Sequence, residues 1–169
     1  MNTMESEVMV DAQVHIRWAI RRDMPEIMQI ENDCFPIPWS DADFHRALCQ
    51  REVIGLIAEI EDCIVGFVIY EFRADRLIVL NFAVRPDCQR RGIGTALINK
   101  LKSKLRPNRR KRITLHTRET NIVAQRFFSS QGFRALGVKR GLYQCDETNE
   151  DAYLFQYRLP VTPDCMGKR

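Results

Sequence analysis

Gln89, Arg90, Arg91, Gly92, Ile93, Gly94 and Thr95 stand together at the start of a segment whose apolar residues Ile93, Leu97, Leu101 and Leu105 recur every four positions. That spacing predicts a helix beginning at the two glycines. A helix start leaves backbone N–H groups unpaired and carries the positive end of the macrodipole, and glycine lets a ligand come close to the backbone. With Arg90 and Arg91 alongside, the chemistry is anion binding, and a pyrophosphate is the anion that suits it best. A dinucleotide fingerprint is a poorer match because Leu97 occupies the place of its third glycine, and no Gly-Lys-Ser/Thr phosphate loop follows.

His116 at the end of a strand-like run is a candidate base, since imidazole titrates near neutrality. The competing reading is a structural histidine at a strand end. Tyr143, in Arg140-Gly141-Leu142-Tyr143, carries the other candidate hydroxyl; its competing reading is an edge-strand tyrosine open to water. Asn121 opens a helix, for which an ordinary N-cap is an equally good explanation. Phe35-Pro36-Ile37-Pro38-Trp39 offers apolar side chains on a backbone stiffened by two prolines, features of the wall of a small pocket. His15 and His45 have no partner signature and read as surface residues.

These groups need elements to position them. A strand is expected at 14–20, then a helix capped by Asp23 with Pro25 in its first turn. Ser40 caps a short helix at 41–49, with Asp43 completing a capping box. Strands follow at 53–58, 63–72 and 77–84. The glycine-led helix then ends near Leu105, ahead of Pro107. Next come a strand at 112–117, a helix from Asn121 to Gln131 stopped by Gly132, and closing strands at 133–139 and 151–158. The two strand–helix units suggest neighbouring parallel strands with a ligand at their carboxyl ends.

A chain of 169 residues with 45% hydrophobic residues suits one globular domain, read as 14–159 between tails at 1–13 and 160–169. The longest apolar run, 63–70, is far short of a membrane span, and the acidic first residues do not resemble a secretory signal. Six cysteines, never closer than 14 residues, lack the spacing of a zinc site and read as free thiols of a reducing cytoplasm; Cys88 and Cys145 lie nearest to the candidate chemistry. The net charge of +4 is concentrated in 89–118, which contains eleven Lys or Arg and no acid. No aromatic residue interrupts that run, so direct nucleic-acid binding is not expected.

Gln89-Arg90-Arg91-Gly92-Ile93-Gly94 resembles the coenzyme A pyrophosphate loop of the GNAT superfamily of N-acetyltransferases. A second block is similar as well. Asn121 begins a helix, Ala124 follows three residues on, and Phe127-Phe128 precedes Gly132-Phe133; Asp151-Ala152-Tyr153 and the Phe35–Ser40 loop extend the match over about 14–159. Within the superfamily the chain looks like the protein N-terminal acetyltransferases, above all the ribosomal-protein alanine type. The resemblance implies an α+β GNAT fold: a mixed six- to seven-stranded sheet, helices on both faces, central strands splayed around acetyl-CoA. It implies that Phe82, Ala83 and Val84 pair with the pantetheine arm and that Gln89 through Thr95 hold the pyrophosphate. Asn121, Ala124, Phe127 and Phe128 would line the cofactor, while Phe35, Pro36, Ile37, Trp39, Asn81 and Tyr143 would meet the acceptor.

The ribosomal-protein subfamily has a Glu base where this chain has His116 and a Tyr acid where it has Phe128. The standard acid–base pair is therefore absent, and Phe128 can only pack. A related group of N-terminal acetyltransferases carries His at the position of His116. The expected activity is direct transfer of an acetyl group from acetyl-CoA to an amine, with a protein N-terminus, including that of a ribosomal protein, as acceptor. The rivals are a lysine or small-amine acetyltransferase, which would want an acidic pocket with Glu71 and Asp75 as candidates, and a non-catalytic acyl-CoA sensor favoured by Phe128.

Overall fold

The computed structural model describes residues 13–145 and 148–160. The tails expected at 1–13 and 160–169, with Cys165, lie outside them apart from Gln13 and Pro160, and the side chain of Cys145 is likewise not described. Seven strands form one sheet: β1 (His15–Trp18), β2 (Val53–Ile60), β3 (Cys63–Phe72), β4 (Arg76–Val84), β5 (Arg112–Arg118), β6 (Arg134–Cys145) and β7 (Thr148–Arg158). Their order is β1-β2-β3-β4-β5-β7-β6. Among the described residues four α-helices flank it: α1 (Met24–Cys34), α2 (Asp41–Leu48), α3 (Ile93–Lys102) and α4 (Ile122–Ser130). Among the described residues no helix is long and apolar enough to cross a membrane.

The sheet separates two apolar cores. Ile27 and Ile30 of α1 with Phe44 and Ala47 of α2 pack on Ile57, Phe67 and Ile69 at one face. Leu97, Ile98 and Leu101 of α3 with Phe128 of α4 pack on Leu56, Val68, Tyr70 and Leu115 at the other. The four-residue recurrence of Ile93, Leu97, Leu101 and Leu105 is thus a core stripe, each of them buried.

Among the described residues β4 and β5 are the only parallel neighbours, and they pair over just Arg76↔Arg112, Leu77↔Ile113 and Ile78↔Thr114. Beyond Ile78 they part, while β5 keeps its antiparallel partner β7 as far as Arg118↔Ala152. The backbone of β4 from Val79 onward therefore has one open edge. A bulge lies on the same stretch: Tyr70 faces Val79, but Ile69 faces Asn81, leaving Leu80 as an extra residue. Before the bulge Leu77 and Val79 point into the α3/α4 core; after it Ala83 points into the α1/α2 core.

Element ends depart from expectation where local bonds take over. α3 stops at Lys102, with Leu105 held in a following turn by its N–H to the Lys102 carbonyl, 3.0 Å. β6 continues past Lys139 to Cys145, because two extra residues are absorbed between Lys139↔Ala152 and Tyr143↔Glu150. Gly141 sits there at φ +59°, its N–H donated to the Asp151 carboxylate at 2.8 Å.

Asp23 does not cap α1. A 3-10 turn, Arg21–Asp23, precedes the helix, and the Asp23 carboxylate reaches back to the Ile20 N–H at 2.7 Å and to Arg17 at 2.8 and 3.0 Å. The Arg17 guanidinium holds the Asp23 carboxyl below the usual carboxylate range. A carboxyl depressed on folding stabilises the protein above its unfolded pKa, and that contribution disappears as pH falls through the folded value. Asp23→Ala is expected to destabilise by about 1–3 kcal/mol near neutrality, with the gap to wild type closing in strong acid. Thermal melts at several pH values check this.

Candidate active site

The splay between β4 and β5 opens into two connected hollows. The larger, about 920 Å³, runs between the β4 edge and the N-terminal ends of α3 and α4; Phe82, Val84, Gln89, Arg90, Gly92, Gly94, Thr95, Ala124 and Phe127 line it. Arg90 at φ +64° and Gly92 at φ +82° take left-handed backbone just ahead of α3, the kind of turn from which anion-binding nests of N–H groups are built. A Cβ on Gly92 would meet nothing within 4 Å, so the left-handed backbone, not crowding, selects glycine there. A Cβ on Gly94 would lie 3.0 Å from the Phe127 ring, so this glycine lets α4 close against α3. Gln89 locks the loop to the sheet, its amide donating to the Val84 carbonyl at 3.0 Å.

The open edge of β4 supplies the second half of the groove. Arg85 donates to the Val65 carbonyl on β3 at 2.8 Å, and the Phe67↔Ala83 pair continues the same alternation. By that alternation Ala83 spends its polar backbone on β3, while Ala83 itself still lines the larger hollow, as expected of a cofactor-side residue. Phe82 and Val84 face the opening. The Val84 carbonyl is already taken by Gln89 and by the Cys34 thiol at 3.3 Å, leaving the Phe82 N–H and C=O and the Val84 N–H. Burial pushes the Cys34 thiol up to about 11, so it stays a neutral donor. Two residues of the loop are not among those lining the hollow, Arg91 and Ile93, the latter a core side chain 1% exposed.

The smaller hollow, about 380 Å³, adjoins the first at Phe82, Asn121, Ala124 and Phe128. Phe35, Ile37, Pro38 and Trp39 line it together with His116, Tyr143 and the buried Asn81. Pro36, expected here, is not among its lining residues, whereas Pro38 is. The Ser40 capping box forms as expected: Ser40 donates its N–H to Asp43 at 2.9 Å and accepts the Asp43 N–H at 3.2 Å. It anchors the loop just after Trp39. Asn121 behaves as a helix cap, its side chain accepting the Ala124 N–H at 3.0 Å while still facing both hollows. Phe128 packs edge-on against Phe82, Phe127 and Phe133 and offers no proton.

His116 is exposed on β5 at the wall of this pocket. Desolvation by its surroundings and the Lys139 ammonium hold its pKa below the ordinary imidazole value, so it is neutral, and able to take a proton, from a lower pH upward. The Tyr143 ring lies under the Arg118 guanidinium at 4.2 Å, and burial raises its hydroxyl pKa, which keeps it a hydrogen-bond donor near neutrality. Glu71 and Asp75 play no part here: Glu71 pairs with Arg73 at 2.7 Å and Asp75 with Arg112. The acids that do line the pocket are Glu31 and Asp43. Glu31 was legible as an acid on the apolar stripe of α1 beside Ile27 and Ile30. Among the described residues no cluster of three His, Cys, Asp or Glu could hold a metal ion.

A strand-edge groove leading from an N–H-rich helix start to a pocket with a neutral histidine is a binding site for an extended pyrophosphate-bearing thioester. Residues 24–133 match the acetyltransferase (GNAT) family. The chain belongs to the GNAT family. Among its relatives, the [ribosomal protein bS18]-alanine N-acetyltransferase of Salmonella typhimurium is 30% identical over 140 residues, covering 83% of this chain and 93% of that protein. The crystal structure of the Escherichia coli ribosomal-protein-S18-alanine N-acetyltransferase superposes with a TM-score of 0.79 at 24% identity, covering 92% of this chain and all of that one. Arabidopsis thaliana NAA60 in complex with acetyl-CoA gives a TM-score of 0.74 at 23% identity, over 86% and 98% of the two chains. This GNAT protein is an acetyl-CoA-dependent N-acetyltransferase, and acetyl-CoA is its acyl donor.

Proposed function

We propose that this GNAT enzyme acetylates the α-amino group of a protein N-terminus, with ribosomal-protein N-termini as the acceptor class. The observation that carries the reading is the frame of the smaller pocket. The Phe35–Trp39 loop and Tyr143 of the β6/β7 hairpin, far apart in sequence, both line it beside His116, a frame suited to an extended chain end. The relatives named [ribosomal protein bS18]-alanine N-acetyltransferase support an acceptor of this class. An N-terminal peptide panel with acetyl-CoA, read by mass spectrometry, tests it; transfer confined to lysine side chains or to small amines would overturn it.

When bound, acetyl-CoA supplies a thioester already activated for attack by an amine. The chain then has three tasks. The Gly92 loop and the free Phe82 and Val84 backbone groups fix the donor along β4, so both reactants are held in one orientation. His116, neutral at physiological pH, takes the proton that the acceptor nitrogen must lose, directly or through a water. Tyr143 donates its hydroxyl hydrogen bond to the acceptor's backbone. Because only a hydrogen bond is lost, Tyr143→Phe is expected to raise the peptide KM about 3–10-fold with kcat little changed. A fall in kcat that outweighs the rise in KM would instead assign Tyr143 to protonation of the departing thiolate.

Ile37 is 52% exposed on the acceptor wall, a large apolar side chain awaiting cover. Ile37→Ala is expected to change which N-terminal residue is preferred while leaving the acetyl-CoA KM within about twofold, since removing an aliphatic contact shifts discrimination by about 1–3 kcal/mol. A rise confined to the acetyl-CoA KM would move this loop to the donor side.

A further inference from the structure

Glu31 is 2% exposed yet lines the acceptor pocket. Its two oxygens each accept one hydrogen bond, from the Trp39 N–H at 2.8 Å and from the Asn81 amide at 2.9 Å. An ionised carboxylate has about four acceptor sites, so half of its capacity remains. Among the described residues no cation pairs with it. Arg118, on the same pocket, bonds Glu150 at 2.8 Å, and Asp43 is occupied by Ser40 and Arg46. His116 and Tyr143 complete the titratable groups around the hollow, and Cys34 and Asp33 flank Glu31 on α1. A buried anion without a counter-charge is costly, and burial accordingly raises the Glu31 pKa. An arriving ammonium would remove that cost.

We propose that the Glu31 carboxylate is the docking group for the positively charged nitrogen of the acceptor. The role rests on the reading of the acceptor as a protein N-terminus, whose α-amine is largely protonated near neutrality. Glu31 draws the ammonium to the floor of the pocket, and it meets positive charge again as the nitrogen lone pair is committed to the new C–N bond. His116 removes the proton; Glu31 holds the nitrogen in place. Its bonds to Trp39 and Asn81 join the acceptor loop to the β4 bulge, so one carboxylate sets where the chain end sits relative to the donor edge.

The test uses two probes on the CoA-saturated protein: a hexapeptide beginning with alanine and containing one internal lysine, and its des-amino analogue with propanoyl in place of alanyl. Calorimetry is expected to show the amine peptide binding wild type at least about tenfold more tightly, as charge-assisted hydrogen bonds allow. Glu31→Gln should weaken the amine peptide about tenfold or more, leave the des-amino peptide within about twofold, and leave CoA affinity intact. Asn81 can turn its amide to meet the new side chain. Glu31→Asp, which keeps the charge, should retain part of the preference. Equal binding of both probes to wild type overturns the proposal without any variant, even where Glu31→Gln fails to fold. Equal weakening of both probes reduces Glu31 to a loop anchor and overturns it too. Acetylation of the lysine with the α-amine untouched overturns the acceptor reading instead, and Glu31 is then judged by the same criterion on a lysine-versus-norleucine pair.

Discussion

Gly94→Glu is expected to lower the affinity for coenzyme A at least about a hundredfold, the consequence of placing a carboxylate where an anion must sit. The Gly92–Gly94 segment forms the floor of the larger hollow at the N-terminal end of α3. A Cβ at position 94 points at the Phe127 ring edge, 3.0 and 3.2 Å away, and at Phe82, 3.5 Å away. The rest of a glutamate has to leave through the groove. Two like charges about 4 Å apart repel by roughly 1 kcal/mol in water and roughly 4 kcal/mol near a protein surface, and a hundredfold loss needs about 2.7 kcal/mol. Displacing Phe127 adds a stability cost of about 1–3 kcal/mol, visible as a lower Tm in a protein that still melts cooperatively. Gly92→Ala supplies the contrast. It meets no atom, so its penalty is the left-handed backbone alone, about 1–2 kcal/mol. Unchanged calorimetric affinity in Gly94→Glu would remove the donor from this loop.

His116→Ala is expected to cost about 10²-fold or more in kcat, the usual return on a positioned base. The pH dependence distinguishes this from a packing defect. A base works when unprotonated, and the desolvated His116 beside Lys139 gives up its proton below the ordinary imidazole value. The wild-type acid limb should therefore fall below about pH 6.5, and the variant should lose that limb. Its deficit should shrink as pH rises past the α-amine pKa of about 7.7–8.0, where the acceptor deprotonates unaided. His116→Glu with Phe128→Tyr asks whether the relatives' acid and base still fit; Phe128 is wedged among three rings, so the new hydroxyl must find room at the pocket end. A pH–rate profile untouched by His116→Ala would leave catalysis to positioning and desolvation.

Local signals carried much of this architecture. The four-residue stripe of α3, the Ser40–Asp43 capping box and the punctuation by Gly132 each act within one turn of chain, and each forms as the residues dictate. The donor groove was legible for the same reason: its loop, its edge strand and its helix start are contiguous in sequence. The acceptor pocket was less so. Glu31, Asn81 and Trp39 are brought together across 50 residues by a bulge that no pattern in Leu77–Val84 announces. The Asp23 carboxylate bonds backward to β1 because a 3-10 turn intervenes, and the 140–142 bulge lengthens a strand that alternation alone ends at Lys139. Ala83 shows the limit in miniature, since which edge a strand residue offers depends on the partner's phase.

The extra residue at Leu80 makes β4 serve two masters in succession. Its first half belongs to the layer that carries α3 and the donor's phosphate loop, its second half also to the layer that carries α1 and the acceptor loop. Substitutions confined to the buried faces of α1 and α2 can thus reshape the choice of acceptor with little effect on donor handling, and the reverse holds for α3, whereas Asn121, Ala124 and Phe128 of α4 and its cap face both hollows. Deleting Leu80 would remove that independence at a stroke: every later side chain of the strand would change sides, and both halves of the reaction would fail together.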